Sequence, residues 1–458
     1  MKKRSKKLLP VVCVALGAVV AVYAGLLVRS RWQADEYLDF ALLREGGAGF
    51  MLDRLLHWGP RPWSELLLWA YGTAVNHVRR PLAGSAEAVL WAGWLLLTVG
   101  PAWRGQAGEA RLRRVALGLG LAAVFLLGSG VAEVFYWPAG SVAYLPTLAA
   151  AAALFWCLAD GIEGRRIPAC AALVLAAGSS EVGVFLTLAF AACAVVRAGR
   201  RGIGHLWWIA PGVLLAGCLV VLLLRGRVGT IEIASTGPYV HHAGASLLAA
   251  CRMFTMEMLG LGDASPGGPG LAKGLGVKAL VFLAAWLMWP ATRRAAAGNL
   301  LPALAAALIL AAFATVATAL YQFGLLCCER HETMRACFVL LAAATAGVWC
   351  AQRLPPRDLG ALAPLPMLIA VGALFAVRAP ALVEAYRLIP AAETARAQTW
   401  RSGQQAGTGS MTMVLMPGGR LIPTGDAETP GSYVLDANTT WYVRGVLQYF
   451  GKTRLEVR

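Results

Sequence analysis

SELLLWAYGTAVNHV, residues 64–78, is the stretch on which the topology turns. It is largely apolar, yet it has only fifteen residues and carries Glu65, Asn76 and His77, whereas a spanning helix needs about 20 predominantly apolar residues. Eleven other apolar runs surround it, near 8–28, 86–102, 115–129, 143–159, 167–179, 182–196, 206–224, 276–291, 300–320, 336–351 and 359–379. If 64–78 does not span, the short loops on the side of the N-terminus (1–7, 103–114, 160–166, 197–202, 291–299 and 351–358) hold 18 Lys and Arg. The short loops on the other side (129–145, 178–182 and 321–335) hold 2. If it does span, every later segment inverts and the bias reverses. Basic residues stay on the cytoplasmic side, so the reading is eleven spans, a cytoplasmic N-terminus, and 64–78 lying along the outer surface.

Composition agrees with this. Of 458 residues, 58% are hydrophobic and 14% charged, and the mean hydropathy is +0.62. Soluble domains hold about 25% charged residues. A soluble globular enzyme, a disordered chain and a nucleic-acid-binding protein are thereby excluded. The formal net charge of +17 is read as topology-setting loops rather than a polyanion site. The start MKKRSKK precedes an apolar run of about 20 residues, longer than a signal-peptide core, and reads as a retained anchor. Seven of the ten Cys lie in apolar runs, with no C-x-x-C spacing, so neither zinc nor a disulfide framework is expected. The adjacent Cys327 and Cys328 are read as two packed thiols.

The expected architecture is an all-α polytopic membrane domain over residues 1–380, followed by a small extracytoplasmic α/β module over 381–458. Outer loops 29–85 and 225–275 complete it. In the tail, 411–416 and 432–435 read as strands, and Asn438 caps a helix that runs to Phe450 and ends at Gly451.

The chemistry gathers on the outer side. Asp35, Glu36 and Asp39 follow the first span, with Asp35 and Asp39 on one helix face. They suit a general base or a divalent cation at Asp35 and Glu36, or simply a solvated helix end. Next, His57-Trp58-Gly59-Pro60-Arg61-Pro62-Trp63 frames Arg61 with prolines and aromatics. That Arg either grips a lipid-linked phosphate in a bidentate fashion or faces headgroups in an aromatic belt. Three shorter outer loops add Glu133, Tyr136 and Tyr144, then Glu181 in a tight G-S-S-E turn, then Glu329, Arg330, His331, Glu332 and Arg335. Ionisable groups at membrane depth are costly and usually functional. The bland alternative pairs Arg330 with Glu329 or Glu332, and Arg335 with Glu181 or Glu133.

An acidic pair after the first span (Asp35-Glu36-Tyr37), the Arg61 segment, the Y-W-x-x-G-S-x-x-Y-L-P loop at 136–146 and the G-S-S-E turn at 178–181 together resemble bacterial members of the GT-C glycosyltransferase superfamily. The likeness is greatest to multi-spanning proteins related to serotype-converting glucosyltransferases. The resemblance implies transfer of a sugar from a polyprenyl-phosphate donor to a cell-envelope glycan or lipid acceptor, at the outer face of the bacterial inner membrane. It implies catalysis by Asp35, with Glu36 as second acid. Donor or acceptor contacts are expected from Tyr37, His57, Arg61, Glu133, Tyr136, Tyr144, Glu181, Arg330, His331 and Arg335. Ala143 stands where relatives often carry Asn. Two other classes remain open: an O-antigen polymerase-like or ligase-like enzyme using Arg225, Arg227, His241 and His242, and a flippase or transporter of lipid-linked solutes.

Overall fold

The computed structural model describes residues 2–104, 107–128, 130–199, 203–226, 242–259, 274–290, 299–326, 328–354, 359, 362–407, 409–423, 433–436 and 441–458. Arg227, His241, Cys327 and Asn438, together with much of the loop 225–275, lie outside them. The chain is mostly helical. Its helices are α1 Lys2–Ala24, α2 Ala34–Asp53, α3 Pro62–Val78, α4 Ala83–Thr98, α5 Gly108–Gly128 and α6 Ala132–Phe135. Then come α7 Pro138–Ala159, α8 Arg166–Ser179, α9 Glu181–Ala198, α10 Ile203–Gly226, α11 Ala243–Leu259 and α12 Leu275–Met288. The last are α13 Leu301–Phe323, α14 Glu329–Arg353, α15 Leu365–Arg387, α16 Ile389–Gln404 and α17 Trp441–Phe450.

Each of the eleven apolar runs lies, among the described residues, mostly on a helix. Among the described residues, seven of these helices (α1, α4, α7, α10, α13, α14 and α15) are long and apolar enough to cross a membrane. The helices α8 and α12 are apolar but have 14 residues each, or about 21 Å of rise. The α7 helix is central: 89% of its apolar window is buried, against 28% for α1, α4 and α10. Its alanines allow close approach where bulkier side chains would not.

Residues 64–78 form most of α3, which is apolar on both faces: Leu68, Tyr71 and Val75 are buried as well. Ser64 and Glu65 are buried, while Leu66, Leu67 and Trp69 are exposed. An apolar exposed face with the acid turned inward suits a helix lying in an interface.

Polar contacts gather at two ends of the bundle. At one, Arg114 lies over both the Trp156 and Trp289 rings (5.0 and 5.2 Å) and pairs with Asp160 at 2.5 Å. Gln352 bonds the Ala159 carbonyl (2.9 Å) and Asn299 reaches Gln352 at 2.5 Å. The starts of α7, α9 and α14 meet at the other end.

The tail differs from expectation in three respects. The α15 helix runs through residue 380 to Arg387. The first strand is shorter, β1 Ser410–Met413, the second is shifted by one residue, β2 Tyr433–Asp436, and a third, β3 Arg454–Val457, lies between them, parallel to β1 and antiparallel to β2. Finally, the tail shares one core with the first outer loop: Met411, Val446, Leu447 and Leu455 join Tyr37, Phe40, Leu68 and Val75. Trp32 is the hub, edge-on to Tyr37, Phe40, Trp400 and Tyr449 at 5.0–5.2 Å. The expected thiol at Cys328 is also corrected, because this cysteine is disulfide-bonded. Its position is only half-buried, where a thiol gains little from packing.

Candidate functional site

The G-S-S-E turn shows how local sequence builds the site. Ser180 is extended (φ −157°, ψ 164°), and its hydroxyl caps α9 by accepting from the Gly183 N–H at 3.1 Å. Thr147 of α7 holds the same hydroxyl at 2.7 Å. Gly178 is required because a Cβ there would strike the Trp63 indole, whose N–H donates to the Val174 carbonyl at 3.0 Å. That close approach lays the start of α3 on α8 and aligns Arg61 with Glu181. The guanidinium gives two hydrogen bonds to one Glu181 oxygen, at 2.8 and 3.2 Å. Burial works against the Arg61 charge, but Glu181, with Tyr144 behind it, holds the group protonated above its ordinary range.

The start of α14 completes the cluster. The Arg330 amide donates to Glu133 at 3.1 Å, its side chain lies 3.9 Å from the same carboxylate, and its guanidinium covers the Trp137 ring at 5.3 Å. His331 Nε2 is hydrogen-bonded to the Tyr144 hydroxyl at 3.1 Å. Its Nδ1 is buried without a partner among the described residues, and an unpaired buried ring nitrogen is costly. Glu329 accepts from the Ala132 N–H at 3.1 Å.

Trp137 links this cluster to the first-loop acids. Its indole N–H donates to Glu36 at 2.8 Å on the same oxygen that accepts from the Gln33 N–H at 2.9 Å. The other Glu36 oxygen accepts from the Ala139 N–H at 3.2 Å. Glu36 therefore closes a capping box on α2 and also caps α7. It is fully buried, and burial pushes its carboxyl up to about 8 against three donors and two helix N-termini that favour the anion. Its oxygens thereby hold the starts of α2 and α7 together. Asp39 is bound by Arg54 at 2.7 Å, and Arg54 also grips Glu65 at 2.9 Å. Burial raises Asp39 to about 7 while Arg54 opposes the shift. Asp35 is half-buried and lies close enough to both acids to raise them further.

Several expected contact residues lie elsewhere. The Tyr136 hydroxyl donates to the Tyr23 carbonyl at 2.7 Å inside the bundle. Tyr37 is packed in the Trp32 cluster. His57 is exposed beside Asp53, at 2.8 Å. Arg335 is buried and pairs with Glu257 of α11 at 3.2 Å, so neither Glu181 nor Glu133 is its partner. At Asp35 and Glu36, where a divalent cation is one expectation, both Glu36 oxygens accept from N–H donors.

Sequence reading missed Trp137, Arg54, Glu257 and Glu87. Glu87 is fully buried in α4, bonded by the Ser141 hydroxyl at 2.6 Å. A carboxyl inside an apolar run was a legible signal. The partners of Trp137, Arg54 and Glu257 depend on helix packing and left none.

No protein-family model, curated protein or solved structure matches the chain.

Proposed function

We propose that this chain is a membrane glycosyltransferase that takes a sugar from a polyprenyl-phosphate donor at the outer face of a bacterial inner membrane and passes it to a cell-envelope glycan or lipid. One observation carries the reading: Arg61, Glu133, Glu181 and Arg330, from four separate segments, gather around Tyr144 and His331, one Trp ring away from the first-loop acids. The reading takes eleven spans with the N-terminus inside and this cluster outside. Support for that comes from the basic loops, 18 Lys and Arg against 2, and from the separation of polar contacts into two ends. Glu87, Glu329 and Arg335 lie within two turns of a helix start, not at mid-span as a transporter would need.

The chemistry needs one base and one cation. Asp35 removes the acceptor hydroxyl proton as the oxygen attacks the anomeric carbon. The bond from that carbon to the phosphate oxygen breaks, and the polyprenyl phosphate leaves as an anion. Arg61 or Arg330 stabilises that charge better than in water, because the site is already ordered. Asp35→Asn is expected to lower turnover by about 10²–10⁴-fold with donor binding retained. The measurement is sugar transfer by purified protein in membranes containing the donor. Undiminished transfer by the variant would remove Asp35 as the base.

A further inference from the structure

At the far end of α3 from Arg61, a groove of about 990 Å³ runs between the first outer loop and the tail. Arg44, Asn76, Arg79 and Arg80 line it from the loop. Trp400, Gln404, Gln405, Tyr449 and Lys452 line it from the tail. Among its described lining residues there is no Asp or Glu. Arg79 and Arg80 are exposed and make no ion pair among the described residues. Glu45, adjacent to Arg44 in the chain, is turned aside to the Gln448 amide at 3.1 Å.

The groove is built rather than incidental. Arg79 takes a left-handed backbone (φ 55°, ψ 41°), which is uncommon for a residue with a Cβ and persists where surroundings enforce it. Its carbonyl is pinned by the Trp400 indole N–H at 2.8 Å and the Gln404 amide at 2.7 Å. Arg44 lies over the Tyr449 ring at 5.3 Å and donates to the Tyr449 carbonyl at 2.9 Å. The Asn76 side-chain oxygen is buried without a partner among the described residues.

We infer that this groove binds an acidic or phosphorylated saccharide, with the arginines on the anionic group and the amides on hydroxyls. Arginine presents paired donors to phosphate and carboxylate oxygens, and Trp400 and Tyr449 offer ring faces and edges to a sugar. A phospholipid fits less well, because among the described lining residues only Val78, Ala406 and Phe450 are wholly apolar side chains, little cover for an acyl chain. The groove lies roughly 25 Å along α3 from Arg61, so the inference does not depend on the transferase reading.

The test uses the full chain in phosphatidylcholine nanodiscs, titrated calorimetrically with glucose 6-phosphate, glucose and inorganic phosphate. Saturable binding of glucose 6-phosphate, tighter than either component, is expected. Arg79→Asn combined with Arg80→Gln should weaken it on the order of tenfold and flatten its salt dependence. Asn is chosen because it tolerates the left-handed backbone, and a thermal melt checks folding. If the double variant unfolds, Arg80→Gln alone is read. Affinity unchanged by the substitutions would overturn the assignment. So would inorganic phosphate binding as tightly as the sugar phosphate, which marks a bare anion site. Competition only by nanodiscs containing phosphatidylglycerol would show a lipid headgroup site instead.

Discussion

Glu36 joins two helix starts through three N–H donors, and its protonation is linked to stability. Its carboxyl is raised from 4.5 to about 8 by burial. Between those values the folded chain holds a proton that the unfolded chain has lost. Stability is therefore fully present below about 4.5 and falls as pH rises through about 8. Thermal melts in detergent across that window should slope downward, and Glu36→Gln should flatten part of the slope. Asp39, raised to about 7 in the same direction, adds to it. A flat wild-type profile would contradict this assignment. Arg335 poses a different question, because it looks from sequence like a phosphate ligand. Buried against Glu257, it is expected to be structural. Arg335→Gln should cost about 3–5 kcal/mol by leaving a buried charge unpaired, and adding Glu257→Gln should recover much of that. If instead donor affinity fell while the melting temperature held, Arg335 would return to the phosphate site.

Among elements, the α8–α9 hairpin shows how short helices set a site's depth. About 21 Å of rise in α8 does not reach across a hydrocarbon core of about 30 Å, so in the proposed topology the Gly178 to Glu181 turn would lie below the surface and bring a carboxylate to membrane depth. There it is tolerable because Arg61 meets it. The turn's conformation rests on the Ser180 cap. Ser180→Ala should cost about 1 kcal/mol and Ser180→Gly only a few tenths, read as the difference between their unfolding midpoints. Equal midpoints would mean that the Thr147 contact, not the cap, holds the turn. The motif was visible in sequence as a polar break between apolar runs. Its partner was not, since 120 residues separate Arg61 from Glu181 and only the Gly178 contact with Trp63 brings them together.

For the whole molecule, the first outer loop and the tail behave as one cap on the helix bundle. Arg29 at the end of the first apolar run reaches the Ala385 and Pro417 carbonyls (3.2 and 2.8 Å), and Arg396 reaches those of Val28 and Ser30 (3.0 and 2.7 Å). The cap must therefore lie on the side where that run ends. In a chain freed of the exposed Cys218 and Cys251, Ser410→Cys should react with an impermeant maleimide in intact spheroplasts. Labelling only after the membrane is opened would invert the proposed topology. Sequence by itself determined the helical class and the eleven apolar runs, because hydropathy and run length act locally along the chain, and loop charge set the expectation that 64–78 lies along the surface. It also singled out the polar turns that the site uses. Tertiary structure alone decided which charges pair, that Glu36 is enclosed, that β3 completes the sheet, and that the tail shares its core with a loop some 350–400 residues earlier. Those outcomes follow from which helix faces meet, and contact between distant segments has no signature in the residues of either one.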